Sequence, residues 1–291
     1  MVGYCGKAGS PQIVTVKREP VKEEDAHGYD YEDLIEAYRK LGVGPGKLIY
    51  VASDLARLMR YARPGREAVL EAHLAAFREL LGPEGTIFVP TSTANLCNTN
   101  VVFNPATTPS QNMGVFSEYV RTREGAVRSV HPFWSVAGIG PHAQEILGSV
   151  SRHAYGYGSV WQKFVDLDVL GINIGKSPHF SISVIHYIET VIGVPYRYAK
   201  EFIHPVLRDG KVSNEPFYLS VVYRDCDILR NQNVKIFENF RKFGSLGEVK
   251  IGKGRAWSFS HAEFFRVTAQ LFLTDMYCWL DRPPTVRPYQ K

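Results

Sequence analysis

The segment Ser183-Val184-Ile185-His186-Tyr187-Ile188-Glu189 sets a hydroxyl, an imidazole and a carboxylate three residues apart. Residues 181–192 are rich in β-branched side chains, and strand alternation would put His186 on one face with Ile182, Val184 and Ile188. Helical spacing instead separates an apolar stripe (Ile182, Ile185, Ile188, Ile192) from a polar one (Ser183, His186, Glu189, Thr190). Only the helix sorts the residues, so a helix is expected, with His186 and Glu189 neighbours one turn apart. An attacking amine must lose a proton, and imidazole is the side chain best suited to accept one at neutral pH, steered by a nearby carboxylate. On spacing alone a solvated His–Glu surface pair is the plainer alternative, because such pairs are common and individually weak.

A second stretch, Arg128-Ser129-Val130-His131-Pro132-Phe133-Trp134-Ser135-Val136-Ala137-Gly138-Ile139-Gly140, mixes hydrogen-bond donors with small residues. His131 precedes a proline, which pushes its backbone toward extended geometry. Ser135, Ala137, Gly138 and Gly140 permit close backbone approach. A packed strand-loop-strand corner and a ligand-lined wall both fit these residues. Thr108-Pro109-Ser110-Gln111-Asn112-Met113-Gly114, ahead of Ser117, Glu118 and Arg121, reads as a loop entering a helix, whose start offers unpaired amides. There Glu118 would either bind a substrate ammonium or hydroxyl, or serve as a first-turn carboxylate favoured by the helix dipole. Cys97, near Thr91-Ser92-Thr93, is a candidate nucleophile for which no base is identifiable. Gly42–Lys47 looks like a phosphate loop but has the wrong glycine spacing and precedes a strand. No G-x-S-x-G elbow and no H-E-x-x-H ligand pair occurs. Gly252-Lys253-Gly254-Arg255 reads as a solvated hairpin turn.

Composition bounds what these groups can serve. The 291 residues are 45% hydrophobic and 12% aromatic, enough for a substantial core. The net charge of +5 is spread along the chain and lacks the concentrated footprint of a nucleic-acid binder. It suits a phosphate-rich ligand, because a positive cleft concentrates anions, and it weighs slightly against a polycationic one. No apolar run approaches the roughly 18 residues of a membrane span, and the N-terminus lacks a signal peptide's apolar core. Cys5, Cys97, Cys226 and Cys278 lie far apart without a C-x-x-C pair, which indicates neither a zinc site nor a disulfide framework. A cytoplasmic protein is expected, with no metal, no membrane contact and no nucleic-acid partner.

Residues 1–28 lack apolar periodicity and read as a flexible arm. Asp30–Leu41 has helical spacing, a strand follows at Lys47–Ala52, Arg66–Leu81 is an amphipathic helix, and Thr86–Pro90 is a buried strand. Strand, helix, strand with short links is a βαβ unit with a parallel pair. Ligands in such sheets sit beyond the carboxyl ends of the strands, which directs attention to the loops starting at Ser53 and Thr91. A third strand is expected at Val169–Ile174, further strands at Phe217–Tyr223 and Gly254–Phe259, and a helix over His261–Leu280. The expected fold is α/β: a mixed, partly parallel sheet flanked by helices in one domain over residues 29–291, with an α+β C-terminal portion from about residue 205 that closes one side of the cleft.

Taken together, Thr108-Pro109, Met113-Gly114, the Arg128–Gly140 stretch and Ser183–Glu189 resemble the aminoglycoside 3-N-acetyltransferase family, from about residue 30 to about residue 200. The resemblance implies transfer of an acetyl group from acetyl-CoA, or of another short acyl group, to an amino group on a sugar ring. His186 then stands at the family's catalytic histidine in a T-x-x-H-x-x-E pattern, with Ser183 for the threonine and Glu189 as the orienting carboxylate. Arg128, Ser129, His131 and Ser135 would line the acyl-CoA tunnel. Ser159, in Gly156-Tyr157-Gly158-Ser159, would face the cofactor where relatives carry G-x-x-S-P; the proline is absent here. Relatives hold CoA with a His-Ser-Ser run at the end of the first strand, where this chain has Val51-Ala52-Ser53-Asp54. Only Ser53 survives as a cofactor contact, and Asp54, Thr91 and Glu118 are the candidates for the acceptor's amino or hydroxyl groups. The altered loop and the charge balance favour an amino sugar, nucleotide-linked for instance, over an aminoglycoside antibiotic. An inactive CoA- or nucleotide-binding relative is a further alternative, and a homodimer is compatible with the resemblance.

Overall fold

The computed structural model describes residues 28–177, 182–224, 226–231, 233–287 and 289. The expected N-terminal arm, Gly28 apart, lies outside them. In chain order the elements are α1 (Tyr31–Lys40), β1 (Leu48–Ser53), α2 (Arg66–Leu81), β2 (Thr86–Pro90), α3 (Val115–Arg121), β3 (Val127–Arg128), β4 (Val136–Ile139), α4 (Ala143–Leu147), α5 (Val160–Asp166), β5 (Leu170–Ile174), α6 (Ile185–Ile192), β6 (Arg197–Arg208), β7 (Lys211–Val222), α7 (Val234–Phe243), β8 (Gly247–Ile251), β9 (Gly254–Ser260) and α8 (His261–Thr274).

Seven strands form one sheet in the order β3-β4-β2-β1-β5-β9-β8. Its centre is parallel, β1 pairing with β2 on one side and β5 on the other, and antiparallel strands extend it at both edges. β1 is buried from Ile49 to Ser53, as a strand covered on both faces must be. Alternation then assigns the faces. Ile49 and Val51, with Ile87 and Val89 of β2, pack under α1–α3. Tyr50, Ala52 and Phe88 point to the opposite side, into the core shared with α4–α8. Because β2 and β5 flank β1, strand order reverses there, and a crevice opens beyond the carboxyl ends of these strands.

Local chemistry sets the element ends that matter for this crevice. α6 closes on Gly193 in the left-handed region (φ 74°), where a side chain would be strained. The chain then turns back so that β6 starts beside the last turn of α6. β6 and β7 form a separate two-stranded ribbon joined by Asp209-Gly210, both at positive φ, the two-residue turn that suits a hairpin's twist. The sequence reading anticipated only the second half of β7, because β6 alternates charged and apolar residues without a continuous core run. The C-terminal strands join the main sheet: β9 pairs antiparallel with β5, and Gly252-Lys253 is the turn of the β8–β9 hairpin. The helix expected over His261–Leu280 stops at Thr274. Asp275 accepts the Tyr277 amide at 2.9 Å, an Asx turn that competes with the helix and bends Trp279 back into the core. Among the described residues, no helix is long and apolar enough to cross a membrane, and no cluster of three or more His, Cys, Asp or Glu side chains is placed to hold a metal.

Candidate active site

A cavity of about 510 Å³ occupies the crevice. Tyr50 and Ala52 of β1 form its floor, and Pro90 and Ser92 follow from β2. Trp134 and Ser135 lie just before β4, Tyr155 and Trp161 flank the start of α5, and Arg230 and Trp279 come from the C-terminal part. Ser183 and His186 close one side, and the Tyr50 hydroxyl is hydrogen-bonded to the Ser183 side chain.

His186 sits in the first turn of α6, with Glu189 one turn on. Its Nδ1 lies 2.7 Å from Glu189 Oε2. A carboxylate only accepts, so this shorter contact assigns the ring proton to Nδ1 and leaves Nε2 with a lone pair; Arg197 Nη2, 3.2 Å from Nδ1, is then a charged neighbour of the ring and not a donor to it. The ring is held edge-on by Tyr155 and Trp279, at centroid distances of 5.1 and 5.7 Å. The His186 side chain is 25% exposed at the cavity wall and that of Glu189 is wholly buried. Glu189 also accepts from Tyr196 Oη at 2.8 Å and is ion-paired with Arg197 Nε at 2.8 Å. Burial pushes the Glu189 carboxyl up, but the hydrogen bond and charge of His186, the Arg197 charge and Tyr196 outweigh it and hold the group below the usual range. Burial lowers the His186 imidazole, and the Arg197 and Arg230 charges lower it further against the opposing pull of Glu189. The ring is therefore neutral at pH 7, the form that can take a proton.

The remaining residues singled out from sequence fall into two groups. Ser135 reaches the cavity, its hydroxyl bridging the Thr91 carbonyl (2.8 Å) and Arg128 Nε (2.9 Å). The others belong to the frame around it. Arg128 is buried and gives its guanidinium to the Thr91 carbonyl at 2.6 Å and the Thr108 carbonyl as well as to Ser135. Thr91 is fully buried and joined to the Ser135 backbone and hydroxyl. The Ser129 hydroxyl accepts the Val136 amide at 2.9 Å. His131 Nδ1 accepts the Phe133 and Trp134 amides, and burial pushes its imidazole down to about 3. Ser159 caps α5 by accepting the Gln162 amide. Glu118 is chelated by Arg121 and by the Ser110 amide and hydroxyl. Asp54 pairs with Arg57 at the surface. Ser53 is buried with its hydroxyl unpartnered. Gly114 packs against it at φ 90°, where a Cβ would meet the Ser53 carbonyl oxygen at 2.6 Å, so this loop requires glycine. Burial raises the Cys97 thiol against the weaker pull of Lys200, which makes it a poor nucleophile.

Sequence reading missed Tyr196 and Arg197, which hold Glu189, and the aromatic walls Tyr50, Tyr155, Trp161 and Trp279. The one available signal for the first pair was Gly193-Val194-Pro195, a helix stop that returns the chain toward α6.

The sequence and the fold are both similar to those of known proteins. The family model described as aminoglycoside 3-N-acetyltransferase matches residues 53–273. The chain is similar to aminoglycoside N(3)-acetyltransferase III of Salmonella sp, 31% identical over 198 residues that span 62% of this chain and 67% of the relative. In fold it is similar to the YokD protein from Bacillus subtilis (TM-score 0.74, 19% identity, 86% of this chain and 95% of that one). It is likewise similar to AAC-IIIb, solved as a binary complex with CoASH (TM-score 0.72, 19% identity, 85% and 97%). With the family match covering most of the sequence, the chain belongs to the aminoglycoside 3-N-acetyltransferase family, enzymes of the acyl-CoA-dependent N-acetyltransferase class.

Proposed function

We propose that this protein transfers an acetyl group from acetyl-CoA to an amino group on a sugar ring, with His186 as general base. The relatives' names make an aminoglycoside amine the first acceptor to assay; other amino sugars, nucleotide-linked ones included, come second. The observation that carries the reading is a neutral imidazole on the cavity wall, locked by a buried carboxylate that is itself fully engaged.

The amine nitrogen attacks the thioester carbon, the new C–N bond forms, and the C–S bond breaks. His186 Nε2 takes the proton released by nitrogen, and the imidazolium gives it to the departing thiolate, which leaves as free CoA with the ring returned to its neutral form. Glu189 steadies the imidazolium and Arg197 and Tyr196 keep Glu189 in place. Tyr155 supports oxyanion stabilisation: its hydroxyl is buried without a partner in a side chain that lines the cavity beside His186. Direct attack fits this site because no cysteine or serine is paired with His186 as a nucleophile among the described residues. Holding amine and thioester together supplies much of the rate gain.

The lining suits a pantetheine arm, with aromatic walls and the Ser92 and Ser135 hydroxyl oxygens, which donate to backbone carbonyls, left to accept from its amide N–H groups. Lys176 and Arg230 are the lining cations among the described residues that could meet its phosphates. Incubating purified protein with acetyl-CoA and a panel of aminoglycosides and amino sugars tests the proposal. Free thiol and singly acetylated amine by mass spectrometry are expected; thioester hydrolysis without acetylated product would reject it.

A further inference from the structure

Helix α8 ends at Thr274, where the family match over residues 53–273 also stops, yet the chain after it returns to the cavity. Cys278, Trp279 and Leu280 are buried there, in turns closed by the Cys278 amide on the Asp275 carbonyl (3.0 Å) and the Leu280 amide on the Tyr277 carbonyl (2.7 Å). Backbone groups buried with such a segment need partners, and the loop before α7 supplies them. Asn231 Nδ2 donates to the Cys278 and Leu280 carbonyls at 2.8 and 2.9 Å, and the Asn231 amide to the Trp279 carbonyl at 3.3 Å. Asp227 takes the Thr285 and Val286 amides at 2.7 and 3.2 Å. What this clamp fixes is the Trp279 ring.

The indole reaches His186 and Glu189 from outside α6. It stands perpendicular to the His186 ring, lies parallel to the Tyr196 ring, and has the Arg197 guanidinium carbon 4.5 Å from its centre. The edge of that guanidinium is already committed: Nε is ion-paired with Glu189 at 2.8 Å and Nη1 donates to the Ser220 carbonyl at 2.9 Å. Contacts in its plane leave a guanidinium free to tilt out of it, and an aromatic face stacked on it removes that freedom. The charged or titratable groups that face the imidazole among the described residues are Glu189 on its own helix, Arg197 of β6, Arg230 from the loop before α7 and the Tyr155 phenol before α5, with Lys176 and Tyr50 lining the same cavity. Arg230 lies 5.4 Å from the centre of the Trp279 ring.

We propose that Trp279 is a positioning residue for the acetyl transfer, a role that rests on that reading: it seats Arg197 against Glu189 and steadies the His186 ring, so that residues beyond the family-matched span complete the site. Without the indole, Arg197 swings away and water enters; less positive charge and less burial both favour the protonated imidazole, so its pKa rises. The test is an NMR titration of the His186 ring, identified by the signal that His186→Ala lacks, in the parent, Trp279→Leu and Trp279→Phe, with a thermal melt of each. Trp279→Leu should raise the pKa by at least about half a unit, and Trp279→Phe, which keeps an aromatic face, by less than about half of that. The rise should persist in an Arg230→Gln background, because Arg197 carries it. An unmoved pKa in folded Trp279→Leu, an equal rise in Trp279→Phe, or a rise that vanishes with Arg230→Gln overturns the proposal. Should Trp279→Leu fail to fold, Asn231→Ala decides, since it keeps the ring and removes two bonds of its clamp: a rise is expected, and none overturns the proposal. Single-turnover acetyl transfer at saturating substrates should fall at least about threefold in Trp279→Leu and recover in Trp279→Phe; an unchanged rate overturns the positioning role. A parent protein that acetylates no amine rejects the acetyltransferase reading, and the titration still decides whether Trp279 seats Arg197.

Discussion

Replacing Glu189 by glutamine preserves shape and removes one charge, and the structure says how much that charge matters. With an effective interior dielectric of about 20, a full imidazolium charge gains roughly 6 kcal/mol from the Glu189 oxygen at 2.7 Å and loses roughly 5 to the Arg197 guanidinium at 3.2 Å. The two nearly cancel. Glu189→Gln deletes the attraction and leaves the repulsion. With proton transfer about half complete in the transition state, the loss is about 3 kcal/mol, or on the order of 10²-fold in kcat. The glutamine amide can also donate to Nδ1, which favours the wrong tautomer and adds to the loss. Adding Arg197→Met removes the repulsion, so the double variant should recover at least about tenfold over Glu189→Gln. The assay is single-turnover thiol release at saturating acetyl-CoA and amine, with a thermal melt to confirm folding, because unpairing the buried Arg197 costs about 3–5 kcal/mol. A folded double variant no faster than the single one refutes the electrostatic reasoning.

Other consequences follow from the buried framework. Burial pushes His73 and His131 down to about 3 and His261 to about 4, so all three fold as neutral rings. Their folded pKa values lie below the unfolded value; the stability they confer is complete above about pH 6.5 and is lost as pH falls toward the folded values. Each loses roughly 2 kcal/mol by about pH 5, so denaturant midpoints should drop steeply between about pH 6.5 and 5; a flat profile there contradicts neutral burial. Arg128→Lys cannot reproduce the fork that reaches two carbonyls and a hydroxyl, and should cost about 3 kcal/mol without weakening CoA binding. An unchanged melt with CoA affinity down by about tenfold or more would make Arg128 a phosphate ligand instead.

Much of the scaffold was legible because burial imprints period on sequence. Leu70, Leu74, Phe77 and Leu81 mark the buried side of α2, and the apolar runs of β1, β2 and β5 are those of strands covered on both faces. His186 and Glu189 were legible as a pair because both lie on one helix. What the pair touches was not. Tyr196 and Arg197 reach Glu189 only after the chain reverses at Gly193, a tertiary fact without a local period. Arg128 shows the converse: an arginine among serines looks like an anion site, and sequence does not reveal that carbonyls from two loops already occupy its donors. Trp279 was placed on a helix by its apolar neighbours, and one Asx turn at Asp275 moved it to the cavity wall.

The account depends on the His186 imidazole taking the acceptor's proton. Its most direct test is kcat for acetyl transfer in His186→Ala, with CoA affinity measured calorimetrically on the same preparation. A fall in kcat of about 10²- to 10⁴-fold with unchanged CoA binding is expected. A variant that binds CoA and keeps kcat within about threefold of the parent contradicts it.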